Sequence, residues 1–446
     1  MEHYAGLDIT PPAYSGSREV LDKDVFRKSI DVLAIRSPPG KVGKILKSEI
    51  TRKSILDLPR VRTVVSNPRD PDGDRLVLLR ASSEADLAPS VLDYLKVEAH
   101  GFENFALTLD YDYWTADDIL RSFFPPELRE GSPSGFAIIG HVAHLNINAE
   151  YLPYKHVIGQ IILDKNKRIR TVVNKLDTID HQFRFFKMEL IAGEPDYIVE
   201  HHESNCRFTF DFTQVYWNSR LHTEHDRLIQ IFQPHDVVAD VFAGVGPFAV
   251  PAGVKGCGVL ANDLNPNCAR YLKQNVQDNR VSTGVRVYCE DGRDFIRRAV
   301  TRCFDEPFLP YTGSRMSRTQ EIKVQRRQEK APPAEVVLEP RRRISHFVMN
   351  LPDSGITFLD AFRGILADDV RKLEDVYDIM PMVHCHCFTR ELERERAEAD
   401  ILQRVSETLG HPVGDDVSLH LVRSVAPGKE MYCISFRLPR EVAFGR

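Results

Sequence analysis

The stretch Asp240-Val-Phe-Ala-Gly-Val-Gly-Pro-Phe248 follows an apolar run and sets Gly244 and Gly246 just ahead of a proline. Glycines so placed let the backbone turn tightly and approach a ligand that a Cβ would exclude, and Pro247 suits the first turn of a following helix. Seventeen residues beyond Gly246, Asn262-Asp263-Leu264-Asn265 closes the next predicted strand. There an acidic side chain meets the ribose hydroxyls of an adenosine-containing cofactor. Taken alone, a GxG after a strand is also what a tight structural turn looks like. The third glycine of the dinucleotide fingerprint is missing and no GK[ST] cradle for phosphates occurs, so NAD and ATP are disfavoured. An adenosine ligand without a pyrophosphate remains. S-adenosylmethionine fits, and Glu290-Asp291-Gly292 after the third predicted strand is where its adenine would be hydrogen-bonded.

A second group, Met349-Asn350-Leu351-Pro352-Asp353-Ser354, ends a later strand. The Asn350 amide and nearby carbonyls could bond the edge of a planar base while Pro352 stiffens the loop; a plain strand-to-turn transition reads the same way. The Asn-x-Pro resembles the tetrapeptides with which amino-group and ring-nitrogen methyltransferases hold a base. His384-Cys385-His386-Cys387 invites a metal reading. On a strand, however, the histidines point one way and the cysteines the other, so four ligands cannot converge, and no metal is expected.

The elements that must carry these residues form an α/β pattern from about residue 216 onward. DVVADVF is a buried strand, NPNCARYLKQNVQDN a helix capped by Asn265, and VRVYCED, HFVMNL and MVHCHCF are further strands. SLHLVRSVAPGKEMYCISFRL reads as two strands around a Pro-Gly turn, giving an antiparallel edge pair to a doubly wound sheet. Residues 301–345 are polar and aperiodic and read as a flexible insertion, with Arg341-Arg342-Arg343 as its solvated end. Upstream, residues 135–215 read as a small α+β domain, with GFAIIGHVAHLNI, HVIGQIILD and RIRTVVNK as β-like runs and a hairpin over DYIVEHHESNCRFTFDF. Residues 1–120 read as a separate N-terminal domain with an amphipathic helix over Asp24–Leu33 and a strand at RLVLLR; SFFPPELREGSPSG marks the boundary.

Composition agrees with a chain of about three domains. With 59 Lys and Arg against 64 Asp and Glu, a net −5, 42% hydrophobic and 28% charged residues, neither a disordered tail nor a fibrous protein is expected. No apolar run is long enough to span a bilayer and the first residues carry no secretory pattern, so a soluble, non-secreted protein is expected. Eight scattered cysteines point to a reducing compartment. Overall acidity excludes coating nucleic acid by bulk charge, yet Lys165, Lys167, Arg168, Arg170, Lys175, Arg184 and Lys187 against Asp177 and Asp180 leave a local +5. A solvated charged face reads the same way.

DVFAGVGPF, NDLNP, NLPDS and VYWNSRLHTEHDRL, with FRFFKMELIAGE, NCRFTFDF and RSVAPGKEMYCISF, resemble the archaeal and eukaryotic tRNA (guanine-N1-)-methyltransferases that modify position 37, 3′ of the anticodon. The resemblance covers roughly residues 135–446. It implies a Rossmann-like class I methyltransferase domain over 216–446, S-adenosylmethionine as cofactor and tRNA as partner, gripped at the anticodon arm and checked at the elbow. It further implies a monomer acting in the cytoplasm, and in mitochondria and nucleus as well, although the sequence shows no clear presequence. By resemblance Glu224 is the general base, Arg184 and Arg220 hold the guanine edge, and Tyr216 lies against cofactor or base. His225, Gly244, Gly246, Asp263, Leu264, Asp291, Gly292 and Asn350 then fall at cofactor positions, and Asn350, Pro352 and Asp353 at substrate positions. Guanine N1 carries a proton when neutral, so a carboxylate sink and a guanidinium for the charge developing on O6 make chemical sense of the set. Tyr216, Arg220 and Glu224 are spaced four apart, as on one helical face, although Asn218-Ser219 suggests a helix beginning only near Ser219. Two rivals stand beside this reading: the aminocarboxypropyl transferase of wybutosine synthesis and a decayed RNA-binding scaffold.

Overall fold

The computed structural model describes residues 7–133, 135–179, 186–313, 339–368 and 370–445. They fall into two compact units, the first made of Met1–Ile138, Val142–Lys175 and Glu189–Pro195, the second of Ile139–His141, Leu176–Met188 and Asp196–Arg446.

In the first unit, β1 (Lys28–Ser37), β2 (Val64–Asn67), β3 (Asp70–Leu78) and β4 (Gly101–Leu109) form an antiparallel sheet in the order β2-β3-β1-β4. Strand β1 is central, and its alternation divides the core. Val32 and Ala34 pack with Leu76 and Leu78 on one face, while Leu33 and Ile35 meet Val77 and Leu79 on the other. The second face is covered by helices α1 (Pro39–Lys47) and α2 (Pro89–Glu98) through Ile45, Val91 and Leu95. The helix expected over Asp24–Leu33 is therefore corrected to a single 3-10 turn, Asp24–Phe26, followed by a strand. A short apolar run that needs both faces buried is satisfied between two partner strands, not along one helical stripe.

The reverse correction applies to HVIGQIILD. After α3 (Ala116–Phe123), this segment forms helix α4 (Lys155–Lys165), whose buried Val157, Ile158, Ile161 and Ile162 repeat with helical spacing. The core holding Phe26, Trp114 and Phe123 continues into Tyr151, Ile158 and Val172. Packing thus does not divide at residues 120–135, where composition had placed a boundary. Strands β5 (Ala137–Ile139), β6 (Val142–Leu145), β7 (Thr171–Ile179) and β8 (Phe186–Gly193) form a sheet in that order, with β6 and β7 parallel.

The second unit contains the expected hairpin, β9 (Ile198–Glu203) with β10 (Cys206–Asp211), with Phe208 and Phe210 buried on one face. Helix α5 (His222–Ile231) leads into a seven-stranded sheet of β11 (Val237–Asp240), β12 (Gly258–Asn262), β13 (Val285–Tyr288), β14 (His346–Met349), β15 (Met382–Thr389), β16 (Val417–Ala426) and β17 (Lys429–Arg437). Its order is β13-β12-β11-β14-β15-β17-β16. The first five strands run parallel and the last two add antiparallel, the doubly wound architecture with an edge pair that the sequence implied. Helices α6 (Ala249–Lys255), α7 (Pro266–Asp278) and α8 (Gly292–Asp305) connect the parallel strands. Asn265 caps α7 by accepting from Asn267 N at 2.9 Å, with Pro266 in the first turn.

The ends of the 301–345 segment are ordered differently from the expectation. Residues up to Asp305 belong to α8, and Phe308 and Arg341 exchange backbone hydrogen bonds at 3.0 and 2.9 Å. Arg341 is not solvated: its guanidinium donates to the carbonyls of Leu309, Pro234 and Gly256 at 2.8, 3.1 and 2.8 Å. All eight cysteines are free. Among the described residues no helix is long and apolar enough to cross a membrane.

Candidate active site

The glycine loop joins β11 to α6, and its two glycines have different tasks. Gly244 adopts φ +55°, and a Cβ built there would meet nothing within 4 Å, so the space before it is open to a ligand. Gly246 adopts φ +101°, and its Cβ would lie 2.6 Å from Leu272 and 2.8 Å from Val250, so it serves packing. Asp263 stands at the end of β12. Its carboxylate accepts from Gly244 N at 2.8 Å and Asn265 N at 2.9 Å, so the acid shapes the loop as well as facing it. Burial raises the Asp263 carboxyl, and these amides act against the rise. Leu264 beside it is 42% exposed, available as an apolar lid for a flat ligand. Asp291 caps α8, accepting from Arg293 N at 2.8 Å. Gly292 is tight, its Cβ position lying 2.8 Å from Phe242. Asn262 ties the strand ends together, donating to Val241 O and Glu290 O and accepting from Glu290 N.

The base-holding candidate follows β14. The Asn350 Oδ1 atom is buried and has no hydrogen-bond partner among the described residues, an acceptor that a ligand would satisfy. Pro352 is half-buried, and its carbonyl accepts from Phe388 N at 3.0 Å, fixing the loop to β15; Asp353 beside it is exposed. The last registered pair of these strands is Met349 with Cys385, so Asn350 is one step along, level with His386.

His386 leads to Glu224. This carboxylate is 2% exposed, accepts from Arg227 Nε and Nη2 at 2.7 and 2.8 Å, and is 2.8 Å from His386 Nε2. His420 Nε2 is 3.6 Å away. Burial by itself would raise the Glu224 carboxyl, but the hydrogen bonds and charges of Arg227 and His386 outweigh it and bring it to about 2. Burial opposes charge on His386 too, yet Cys433 and Glu224 raise it to about 10. Atoms of Glu224, His386 and Cys433 lie within 4.8 Å of one another, close enough for a metal, but Arg227 already occupies both carboxylate oxygens. The alternation expected of β15 is present: His384 contacts His346 and Ser435, His386 contacts Glu224, and Cys385 and Cys387 join the opposite core.

The remaining expected residues are distributed as follows. His225 is not a helix-surface residue: it is 3% exposed, hydrogen-bonds Glu203, and packs edge-on to Phe248 at 4.8 Å between ring centres. Burial raises the Glu203 carboxyl less than His201 and His225 lower it, leaving it at about 2. Phe248, the last residue of the glycine loop, also lies against His386 at 6.0 Å, so one ring connects that loop to the histidine beside the acid. Tyr216, Arg220 and Glu224 do not share a helical face. A 3-10 turn over Ser219–Leu221, capped by Asn218, precedes α5, leaving Tyr216 and Arg220 exposed and Glu224 buried. Arg184 lies outside the described residues.

Sequence reasoning missed four partners of the acid, namely Arg227, His386, Cys433 and His420. Only Arg227 was within its reach, three residues along the same helix. It also gave no role to Asp240, the last residue of β11, which is fully buried with neither carboxylate oxygen bonded among the described residues. Burial, then the charge of Asp263, pushes its carboxyl up to about 8.

Comparison with known proteins bears on the whole of this arrangement. Residues 199–314 match the TRM5/TYW2 methyltransferase domain and residues 116–196 the TYW2 N-terminal domain. The tRNA (guanine(37)-N(1))-methyltransferase of Coprinopsis cinerea is 62% identical over 448 residues, covering 98% of each chain. That of Schizosaccharomyces pombe is 44% identical over 435 residues, covering 96% of this chain and 95% of its own. Among solved structures, aTrm5 in complex with tRNALeu shares the fold with a TM-score of 0.57 at 20% identity, over 92% of this chain and 99% of that one. Trm5b from Pyrococcus abyssi does so with 0.56 at 22%, over 91% and 98%. With relatives this similar from end to end, the chain belongs to the tRNA (guanine(37)-N(1))-methyltransferase family.

Proposed function

We propose that this enzyme transfers the methyl group of S-adenosylmethionine to N1 of the guanosine at position 37 of tRNA, with Glu224 receiving the N1 proton. The observation that carries the site assignment is the row formed by the unsatisfied Asn350 carbonyl, His386 and the Glu224 carboxylate, joined to the glycine loop through Phe248. S-adenosylmethionine, when bound, supplies an electrophilic methyl group on sulfur. Gly244, Asp263 and Leu264 would hold its ribose side and Asp291 its adenine. The open space before Gly244 and the absence of any phosphate cradle suit such a ligand.

The protein's own part is orientation and proton handling. Asn350 Oδ1 can accept from a guanine N–H, and Pro352 keeps the loop rigid. A carboxylate held at about 2 is ionised throughout the physiological range, so the acceptor is always unprotonated. It is also a weak base until one partner turns away, so docking of the base should displace a hydrogen bond of Arg227 or His386. The exposed Arg220 would offer its guanidinium to the charge developing on O6. Position 37 is stacked in a folded anticodon loop, so the base must be extruded to reach Asn350. We further assign the anticodon arm and elbow as the tRNA regions gripped, a monomer as the working form, and the cytoplasm, mitochondria and nucleus as its places of action.

The test is transfer of a labelled methyl group to an unmodified tRNA transcript with guanosine at position 37, beside the same transcript with adenosine there. Methylation confined to the guanosine transcript is the expected result. Label transferred within an aminocarboxypropyl group, or binding without transfer, would overturn the reading.

A further inference from the structure

Methylation of guanine N1 releases one proton, and Glu224 has almost no contact with water through which to lose it. Among the described residues, the titratable groups facing this carboxylate come from four elements: Arg227 on its own helix, His386 on β15, Cys433 on β17 and His420 on β16. Arg227 is always protonated and can accept nothing. His386 and Cys433 are both wholly buried, so a proton passed to them remains inside. His420 is different. Its side chain is 47% exposed on the edge strand, with Nε2 3.6 Å from Glu224 Oε2. The sheet aligns it: His386 is in register with Cys433, and Cys433 with His420, so the three side chains stand on one face beneath Glu224.

We propose that His420 is the proton exit of the active site, a positioning residue that relays the N1 proton from Glu224 to solvent. The proposal rests on Glu224 being the base. In sequence, the N1–H bond breaks as the proton joins a Glu224 oxygen, and the N1 electron pair forms the new bond to the methyl carbon. The Glu224 O–H then breaks as Nε2 of His420 takes the proton, directly after a small side-chain rotation or through one bridging water. His420 finally releases it to bulk water, which leaves both groups as they began. Burial, with the nearby Arg227 charge, holds the imidazole below its ordinary value despite Glu224, so it meets the proton in its neutral form.

The experiment is multiple-turnover methyl transfer by the full chain with tRNA transcript in saturating excess, comparing wild type, His420→Ala, His420→Gln and Glu224→Gln from pH 5.5 to 8.5. Both His420 variants should slow turnover, on the order of 100-fold, because protonated Glu224 must be reset before the next methyl transfer, with tRNA affinity unchanged. Both should lose the acid-side fall in rate, and added imidazole should restore His420→Ala in proportion to its concentration. Wild-type rates and pH profiles in both variants would overturn the proposal, as would a loss confined to tRNA affinity that imidazole does not relieve. If Glu224→Gln turns over normally, the base assignment fails first. If Glu224→Gln is inactive while the His420 variants behave as wild type, only the exit fails.

Discussion

The floor of the glycine loop and the first turn of α5 each bury a carboxylate, and the two sit at opposite ends of carboxyl chemistry. Asp240, whose carboxylate oxygens have no well-formed hydrogen bond among the described residues and which has Asp263 nearby, is held protonated to about pH 8. Glu224 is just as far from water but is enclosed by Arg227 and His386, and is ionised down to about pH 2. Burial is common to both; the neighbours decide which form survives it. Asp240 can stay neutral because the amides of the loop above it bond Asp263 instead, whereas Glu224 as the proposed acceptor needs a standing negative charge.

The sharpest way to break this contrast is Glu224→Gln. Loss of the proton sink should lower the rate of labelled methyl transfer by roughly 100- to 10,000-fold. Leaving Arg227 and His386 without their counter-charge should cost about 3–5 kcal/mol in urea unfolding. A variant of normal stability and rate would show that the paired carboxylate is incidental. Next come opposite pH dependences of stability. Glu224, lowered from 4.5, contributes stability above pH 4.5 that is lost as pH falls toward 2. Asp240, raised from 3.8, contributes stability that is full below pH 3.8 and lost as pH rises through 8. At ~1.4 kcal/mol per unit, the Asp240 effect amounts to several kcal/mol at most. Asp240→Asn should therefore flatten the decline between pH 4 and 8 without touching the acid limb, as unfolding midpoints across pH would reveal; an unchanged decline would place the titration elsewhere.

Smaller effects divide the two glycines. Gly246→Ala should cost about 1–3 kcal/mol, because its Cβ meets Leu272 and Val250 and the backbone is left-handed. Gly244→Ala should cost about 1–2 kcal/mol for backbone conformation alone, while weakening S-adenosylmethionine binding more than Gly246→Ala does. Unfolding midpoints and calorimetric titration would separate the two losses, and equal cofactor affinities would contradict the division of tasks.

What the sequence made legible was local. The glycine loop, Asn265 as cap and the alternation of strands and helices ending in an antiparallel edge pair all follow from residues close together in the chain, where turn chemistry and strand length speak directly. Asp24–Leu33 and HVIGQIILD were misread in opposite senses because a short apolar run fits a buried strand and a buried helix equally until its neighbours are known. The surroundings of Glu224 were hidden for another reason. His386 lies 162 residues away along the chain, and alternation on β15 could say that His384 and His386 share a face but not which element covers it. That choice belongs to topology, which set α5 over β15 and β16 and turned a possible metal motif into an acid's counter-charge.

The clasp between Phe308 and Arg341 has a practical reach of its own. Because the two backbones hydrogen-bond each other and the Arg341 guanidinium fastens to the carbonyls of Leu309, Pro234 and Gly256, Phe308 and Arg341 are held side by side although far apart in sequence. Closing a longer excursion costs only about 0.6 kcal/mol for each doubling of its length. This point is thus a natural insertion port, where a fluorescent reporter or affinity module could be grafted while the methyl-transfer machinery keeps its shape.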